Sequence, residues 1–553
     1  MSSTWAGLGQ VGLLLLALAL VHKPLGDYMA HVFTSAKHWR LERFVYRLVR
    51  VDPDSEQRWS TYAYGVLGFS FAGVVLLYVL QRIQQWLPLA FGHSAVAPAM
   101  AFNTAISFVT NTNWQSYVPE TTLGSAVPML GLTVQNFLSA ATGIVVAIAL
   151  IRGFVRAQTD RLGNLWVDIV RCTVRILLPL SFLFALVLIG FGVVQSLRSG
   201  TTVTGLGGAG HTIALAPAGS EESIKEMGNN GGGIFNANSA HPFENPNGYT
   251  DFIEIFLILM IPVALTRTLG IMVDNKKQGY TLLSAMAVLW GAMLSVIWWA
   301  EAHPVGKAAL LAGSGMEGKE TRFGINASAL FANSTTATST GAINAAHDSL
   351  SGLGGGGAML NMMFSEMTPG GVGTGIYSIL VMAIIAVFLA GLMVGRTPEY
   401  LGKKLGKREV TMASVAILAM PTLVLVLAGL AIALPATGAA LNNSGAHGFS
   451  EVLYAYTSAS NNNGSAFAGI TVTSDFFQST LGIAMGFGRF VPIIAVLALA
   501  GALATQKKIP ATAGTLPTTG VLAASMVTCT IVLVAAIVFI PALALGPIAE
   551  ATS

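Results

Sequence analysis

Apolar residues fall in long blocks along this chain, and polar residues gather between them. Ten blocks stand out, at residues 5–21, 64–80, 127–151, 169–194, 252–273, 282–300, 376–394, 415–434, 480–504 and 520–545. Each matches or approaches the about 20 residues an α-helix needs to cross bilayer hydrocarbon. The pattern predicts an all-α polytopic membrane protein with about ten transmembrane helices. The first block has no Lys or Arg before Lys23 and lacks a small-residue cleavage site. It therefore reads as a retained helix with its N-terminus outside, and not as a signal peptide.

The polar stretches between the blocks are as informative. Asn461-Asn462-Asn463-Gly464-Ser465-Ala466-Phe467 follows a short semi-apolar run, 448–458, and precedes a long apolar block. Three Asn and a Gly make a poor helix interior and a poor strand. At membrane depth such backbone persists only where it lines a polar cavity or is buried in protein. Thr110-Asn111-Thr112-Asn113-Trp114-Gln115, Asn229-Asn230-Gly231-Gly232-Gly233 and Pro369-Gly370-Gly371-Val372-Gly373 share this layout. Four such re-entrant loops predict four fused helix–pore–helix units in pseudo-fourfold arrangement, with one extra helix at each end. Helices two and three flank the first loop, four and five the second, six and seven the third, eight and nine the fourth. The implied segments are 1–60 (first helix and basic link), 61–160, 161–275, 276–410 and 411–510 (the units), and 511–553 (last helix).

Composition agrees. Of 553 residues, 53% are hydrophobic and 10% charged, against about 25% charged in soluble domains. The net charge of +4 is modest and no basic patch interleaves with aromatics, which excludes a nucleic-acid binder. The basic residues cluster after odd-numbered helices: Lys23 to Arg58, Arg152 to Arg161, Lys276-Lys277, Arg396 to Arg408 and Lys507-Lys508. The links 98–126 and 441–478 hold no Lys or Arg. The positive-inside rule puts the first set in the cytoplasm and the special loops outside. The long links 199–250 and 301–374, rich in small polar residues, predict an ordered outer cap with short strands. Cys172 and Cys529 read as small buried hydrophobes.

Backbone carbonyls can replace the water around a cation such as K+ without adding net charge, so the ion can leave again. Aligning successive carbonyls takes alternating backbone angles, including positive φ, which Gly adopts freely and Asn tolerates. The candidate filter is thus Thr110, Asn111, Thr112, Asn113 and Gln115; Asn229, Asn230, Gly231 and Gly232; Gly370, Gly371, Val372 and Gly373; Asn462, Asn463 and Gly464. Trp114 reads as a cuff behind the filter or an interfacial aromatic. Gln115 offers an oxygen at the mouth or bonds a neighbouring loop. Three charges outside the loops stand out: Glu366 at the end of the third short helical run, Arg396 at a cytoplasmic helix end, and Arg489 inside an apolar segment, where an ionisable group is costly. The alternatives are an ion pair between Arg489 and Glu366, and a topogenic charge at Arg396. His241 and His447 read as structural, and no spacing of His, Cys, Asp or Glu suggests a transition metal.

Four stretches carry a resemblance: 107–117, 231–246 (Gly231-Gly232-Gly233-Ile234-Phe235-Asn236-Ala237-Asn238-Ser239 onward), 395–404 (Gly395-Arg396-Thr397-Pro398-Glu399-Tyr400 onward) and 461–467. The chain resembles the potassium-binding subunit family (KdpA) of the Kdp potassium-transporting ATPase, from the first helix to Phe539-Ile540-Pro541-Ala542 and beyond. The resemblance implies membership of the superfamily of K+ transporters, with K+ as the transported ion and no covalent cofactor. It implies partners: a P-type ATPase catalytic subunit (KdpB), an accessory subunit (KdpC), a small single-helix subunit (KdpF), and membrane lipid. It implies the plasma membrane of a bacterium or archaeon, and charged residues at Glu366, Arg489 and Arg396 that shape a cavity and a lateral tunnel. The helix near 376–396 is then interrupted, where Gly391 and Gly395 fit. The chain has no Asp-Lys-Thr-Gly and no Gly-x-x-x-x-Gly-Lys-Ser/Thr stretch, so ATP hydrolysis belongs elsewhere. The alternatives are a stand-alone K+ or Na+ channel or symporter, and an intramembrane enzyme, for which Arg489 has no nucleophile or metal-ligand pair beside it.

Overall fold

The computed structural model describes residues 3–303, 315–510 and 514–552. In chain order its helices include α1 (Ser3–Thr34), α2 (Arg40–Leu48), α3 (Trp59–Arg82), α4 (Pro98–Val109), α5 (Thr133–Val155), α6 (Leu165–Gly190), α7 (Ala218–Met227) and α8 (Gly248–Met272). They continue with α9 (Lys276–Ala302), α10 (Gly324–Thr336), α11 (Gly352–Met363), α12 (Thr374–Met393), α13 (Lys407–Ala433), α14 (Gly445–Asn461), α15 (Asp475–Thr505) and α16 (Val521–Leu545). Among the described residues ten helices are long and apolar enough to cross a membrane. They match the ten predicted blocks, and the protein is a multi-pass membrane protein.

Burial sorts these helices into two shells. In the most apolar eighteen-residue stretch of each, 83% of α5, 72% of α8, 61% of α12 and 61% of α15 is buried. The figures for α3, α6, α9 and α13 are 22%, 39%, 50% and 28%. The first spanning helix of every unit is therefore peripheral and the second is central, which is the pseudo-fourfold repeat in physical form. Helix α5 is the extreme case: Ala140, Ala141 and every residue from Ile144 to Ile151 are fully covered, as expected of a helix apolar all round. Phe71, Phe182, Leu183 and Val426, on the peripheral helices, are exposed and meet lipid. Helices α1 and α16 stand outside the four units, α1 packing Leu14 and Leu18 against Ile255, Ile258 and Leu259 of α8.

The structure corrects three details. Helix α1 does not stop near Val21 but continues through Pro24 to Thr34. Leu25, Met29, Val32 and Phe33 keep the helical spacing and remain buried, so packing outweighs the hydrogen bond that Pro24 forfeits. Cys172 is buried as expected, but Cys529 is exposed on α16. The predicted cap with strands is found in the first long link, where β3 (Gly200–Thr204) pairs antiparallel with β4 (Gly210–Ala214); β1 (Gln57–Arg58) and β2 (Arg161–Gly163) pair elsewhere. The second long link instead forms α10 and α11, and its stretch 304–314 lies outside the described residues.

The units are also held by buried charge. Arg152 at the end of α5 meets Asp168 of α6 through Nη1–Oδ2 at 2.5 Å and Nη2–Oδ1 at 2.8 Å, and the Tyr62 hydroxyl of α3 donates to the same carboxylate at 3.1 Å. Bidentate geometry and a third donor offset the desolvation of both ions. Asp168→Ala strands a buried guanidinium and is expected to cost about 3–5 kcal/mol, read as a lowered thermal unfolding temperature in detergent. Asp160→Ala, which removes the exposed Arg58 pair, is expected to cost less than about 1 kcal/mol.

Candidate functional site

Four short helices end inside the bundle: α4, α7, α10 and α14. Each is followed by residues that leave the helical path. Asn111 and Asn113 have φ of 68° and 58°, Asn229 and Gly231 50° and 88°, Asn462 and Gly464 61° and 101°. In these three loops positive φ falls on alternate residues, which turns successive carbonyls the same way. After α10 the matching position is Gly341, with φ 80°. The polypeptide leaves the helix here because Asn and Gly tolerate that region and the surrounding bundle fixes it.

The four loops close a ring. A Cβ on Gly231 would strike the Thr340 carbonyl, one on Gly341 the Asn463 carbonyl, and one on Gly464 the Thr112 carbonyl. The circle closes where Gly232 abuts the Asn113 carbonyl. Only glycine lets neighbouring backbones approach this closely.

Side-chain amides brace the same circle. Asn111 Nδ2 donates to the carbonyls of Gly228 (3.2 Å) and Asn229 (2.6 Å). Asn229 Nδ2 donates to Thr340 Oγ1 (2.8 Å). Asn463 Nδ2 donates to the carbonyls of Thr335 (2.9 Å) and Thr338 (2.8 Å), and Asn462 Nδ2 to Thr112 Oγ1 (2.9 Å). Asn230 Nδ2 reaches Asn111 Oδ1 (2.8 Å), and Asn113 Nδ2 reaches Asn136 Oδ1 on α5 (2.7 Å). The amide nitrogens are thus spent on the scaffold, while Asn229 Oδ1 and Asn230 Oδ1 have no partner, and the loops 110–113, 229–232, 338–341 and 462–464 carry no charged side chain. Each short helix also directs its C-terminal end, equivalent to about half a negative charge, toward the ring.

One predicted member is elsewhere. Gly370, Gly371, Val372 and Gly373 are not in the ring; residues 338–341, Thr338-Ser339-Thr340-Gly341, take the place expected for them. The 370–373 stretch joins α11 to α12, and Gly370 N–H donates to the Ala337 carbonyl (3.0 Å). It is glycine-rich because it presses against α5: a Cβ on Gly373 would enter the backbone of Gly143, and one on Gly143 the Val372 carbonyl. The sequence signal missed was Thr338-Ser339-Thr340-Gly341 after an Ala/Ser/Asn-rich helix, which repeats the hydroxyl-rich style of Thr110-Asn111-Thr112-Asn113. In both, paired hydroxyls bond each other, Thr110 to Thr112 (2.8 Å) and Thr338 to Thr340 (2.6 Å).

The charged candidates separate. Glu366 is buried beside the ring, its Oε1 accepting from Asn463 Nδ2 (2.8 Å), while Oε2 has no partner. Arg489, buried on α15, donates to the Ser139 carbonyl (3.3 Å). Among the described residues Glu366 and Arg489 form no ion pair. Arg396 is exposed past the end of α12 and joins neither. The break in the third unit falls at 364–373, between α11 and α12; α12 runs unbroken through Gly391, and Gly395 lies in the turn beyond it.

Two open alternatives are decided. Trp114 is buried in a cluster with Val452, Ala455 and Tyr456 of α14, a cuff and not an interfacial aromatic. Gln115 Oε1 accepts from Gly233 N–H (3.0 Å), tying the first loop to the second. His241 stacks on Phe235 at 4.1 Å. A residue that sequence reasoning missed is Lys225, fully buried on α7 and paired with Glu222 (2.8 Å), Glu244 (3.0 Å) and Glu226 (3.5 Å). Burial opposes its charge, but Glu222, Glu244 and Glu226 outweigh that and hold its pKa above the ordinary lysine value. Lys225 Nζ donates to Asn238 Oδ1 (3.2 Å), and Asn238 Nδ2 donates to the Gly231 carbonyl, so the charge cluster grips the ring.

The sequence model of the family described as "Potassium-transporting ATPase A subunit" (KdpA) matches residues 12–552. The chain belongs to this family. Among relatives, a protein of Nocardia farcinica is 60% identical over 554 residues, covering 99% of both chains. One of Mycobacteroides abscessus is 59% identical over 569 residues, covering 100% of this chain and 99% of the relative, and one of Streptomyces coelicolor is 55% identical over 552 residues, with the same coverage. All three are named potassium-transporting ATPase potassium-binding subunit. The crystal structure of the potassium transporter TrkH from Vibrio parahaemolyticus superposes with a TM-score of 0.51 at 15% identity, covering 76% of this chain and 82% of that one. At that identity the likeness concerns the fold alone.

Gly341 tests the ring directly. Gly341→Ala adds a Cβ both at positive φ and inside a neighbouring carbonyl, and is expected to destabilise by more than about 1 kcal/mol. Gly9→Ala in α1, where a Cβ meets nothing within 4 Å, is expected to leave thermal unfolding unchanged or raise it slightly.

Proposed function

We propose that the ring is a K+ filter and that this chain is the potassium-binding subunit of an ATP-driven K+ importer. The observation that carries this reading is the closed ring itself: four uncharged loops whose side-chain amides are tied into the scaffold. What the loops offer an ion is uncharged oxygen, chiefly backbone carbonyl. Carbonyls that replace hydration water bind K+ without a fixed charge that would trap it. The filter residues are then Thr110 to Asn113, Asn229 to Gly232, Thr338 to Gly341, and Asn462 to Gly464. Gln115 and Trp114 hold the first loop in place. Glu366 and Arg489, beside the ring, are the charges an ion meets on leaving it.

In this reading the chain sits in a bacterial or archaeal plasma membrane with its N-terminus and ring outside, as the basic links argue. It passes K+ to a P-type ATPase catalytic subunit (KdpB), assembled with an accessory subunit (KdpC) and a small single-helix subunit (KdpF). The names of the relatives and the lack of an ATPase motif in this chain both support that division of labour.

The test is K+-stimulated ATP hydrolysis by the purified complex, titrated with K+ and with Na+. Gly231→Asp and Gly464→Asp put a side chain and a charge into the ring. Each is expected to raise the K+ concentration for half-maximal stimulation at least about tenfold, the equivalent of about 1.4 kcal/mol, and to narrow K+/Na+ discrimination. Unchanged affinity and discrimination in both variants would count against the filter. K+ uptake that persists in cells lacking the ATPase subunit would favour a stand-alone channel.

A further inference from the structure

A second cluster lies away from the ring, at the N-terminal end of α14. His447 and Glu451 are four residues apart on that helix and so share a face. Asp348, from the turn before α11, meets them there. One ligand atom from each of the three lies within 4.8 Å of the others. His447 Nε2 is 3.2 Å from Asp348 Oδ1, and its Nδ1 is 2.9 Å from Glu550 Oε1 near the C-terminus. Asn443 Nδ2 donates to Glu451 Oε1 (2.8 Å). Glu451 is fully buried, yet its Oε2 has no partner. A Cβ on Gly469 would press into the carboxylates of both Glu451 and Asp348, so glycine there leaves the carboxylates free to converge.

A proton on His447 satisfies Asp348 and Glu550 but leaves the buried Glu451 oxygen unpaired, which is costly for a charged group. A divalent cation satisfies all three ligands at once. One imidazole and two carboxylates form a donor set suited to zinc and its first-row neighbours. Glu550 on Nδ1 and Asn443 on Oε1 supply the outer hydrogen bonds that orient a metal-bound histidine and carboxylate. We propose that Asp348, His447 and Glu451 bind a first-row divalent metal ion of the zinc class, with Glu550 and Asn443 as positioning residues.

The site joins three distant parts of the chain and is wired to the fourth loop. His447 stacks on Phe467 (5.9 Å), Phe467 on Tyr454 (4.1 Å), the Tyr454 hydroxyl bonds Ser465 Oγ (2.8 Å), and Ser465 Oγ donates to Asn463 Oδ1 (2.6 Å). A bound metal fixes the start of the helix whose end forms the ring.

The test is calorimetric titration of Zn2+ into the purified, chelator-treated complex, alongside thermal unfolding with and without Zn2+. One Zn2+ per chain is expected, and its binding should raise the unfolding temperature. Glu451→Gln and His447→Gln should each weaken binding more than Glu550→Gln, which should weaken it about 10–100-fold. Glu451→Gln keeps the shape of the site, so it remains informative if His447→Gln fails to fold. Absence of stoichiometric Zn2+ binding by the native chain, or native-like binding by folded Glu451→Gln, overturns the proposal.

Discussion

Backbone that leaves the helical path inside a membrane bundle must find polar partners in the protein or line a polar cavity, and the structure turns on how that is done. Most loop N–H groups bond carbonyls of their own short helix, and asparagine amides supply the links between loops. Asn111, Asn229, Asn462 and Asn463 each reach across to a neighbouring loop, while Asn230 and Asn113 bind amides and hydroxyls behind the ring. The loops therefore hold one another up, and none is satisfied alone. In a low-dielectric interior such a mutually dependent network is strong when complete and costly when one member is missing. The glycines add the other half of the constraint. Gly231, Gly341 and Gly464 let adjacent backbones touch, so the ring's diameter is set by peptide against peptide.

The inner helices serve that ring. Their burial leaves them little freedom to shift, and polar groups on them bind the loops from behind: Ser139 and Asn136 on α5, the Ile258 carbonyl on α8, the Met485 carbonyl on α15. The third unit departs from the others. An irregular stretch, 364–373, joins α11 to α12, and it brings Glu366 and four close-packed residues, Gly370 to Gly373, against the ring and α5. An unpartnered buried carboxylate oxygen on Glu366, next to the uncharged ring, is where the fourfold likeness ends.

Much of this was legible beforehand. The ten spanning helices follow from runs of apolar residues, because lipid demands length and hydrophobicity wherever the helix sits in the bundle. Three of the four ring loops were legible too, as Asn and Gly following short helices. The third was misread. Pro369-Gly370-Gly371-Val372-Gly373 has the stronger glycine signal, yet its glycines answer to Gly143 on α5, while Thr338-Ser339-Thr340-Gly341 does the work of the ring with a single glycine. Glycine records that a backbone is approached closely, and not by what. The partners of His447 were not legible either, since Asp348 and Glu550 lie about a hundred residues away on either side and no local spacing announces them.

Local sequence thus determined what each segment is: spanning helix, basic link, or loop able to take positive φ. Hydropathy and backbone preference act over a few residues, so they can be read in order along the chain. Tertiary structure alone decided which segments meet. Asn462 finds Thr112 across 350 positions and Asn229 finds Thr340 across 111, and such pairings depend on how helices pack around a common centre. Contact at that range is settled by the whole bundle, because the hydrogen bonds of each loop are completed by its neighbours in space.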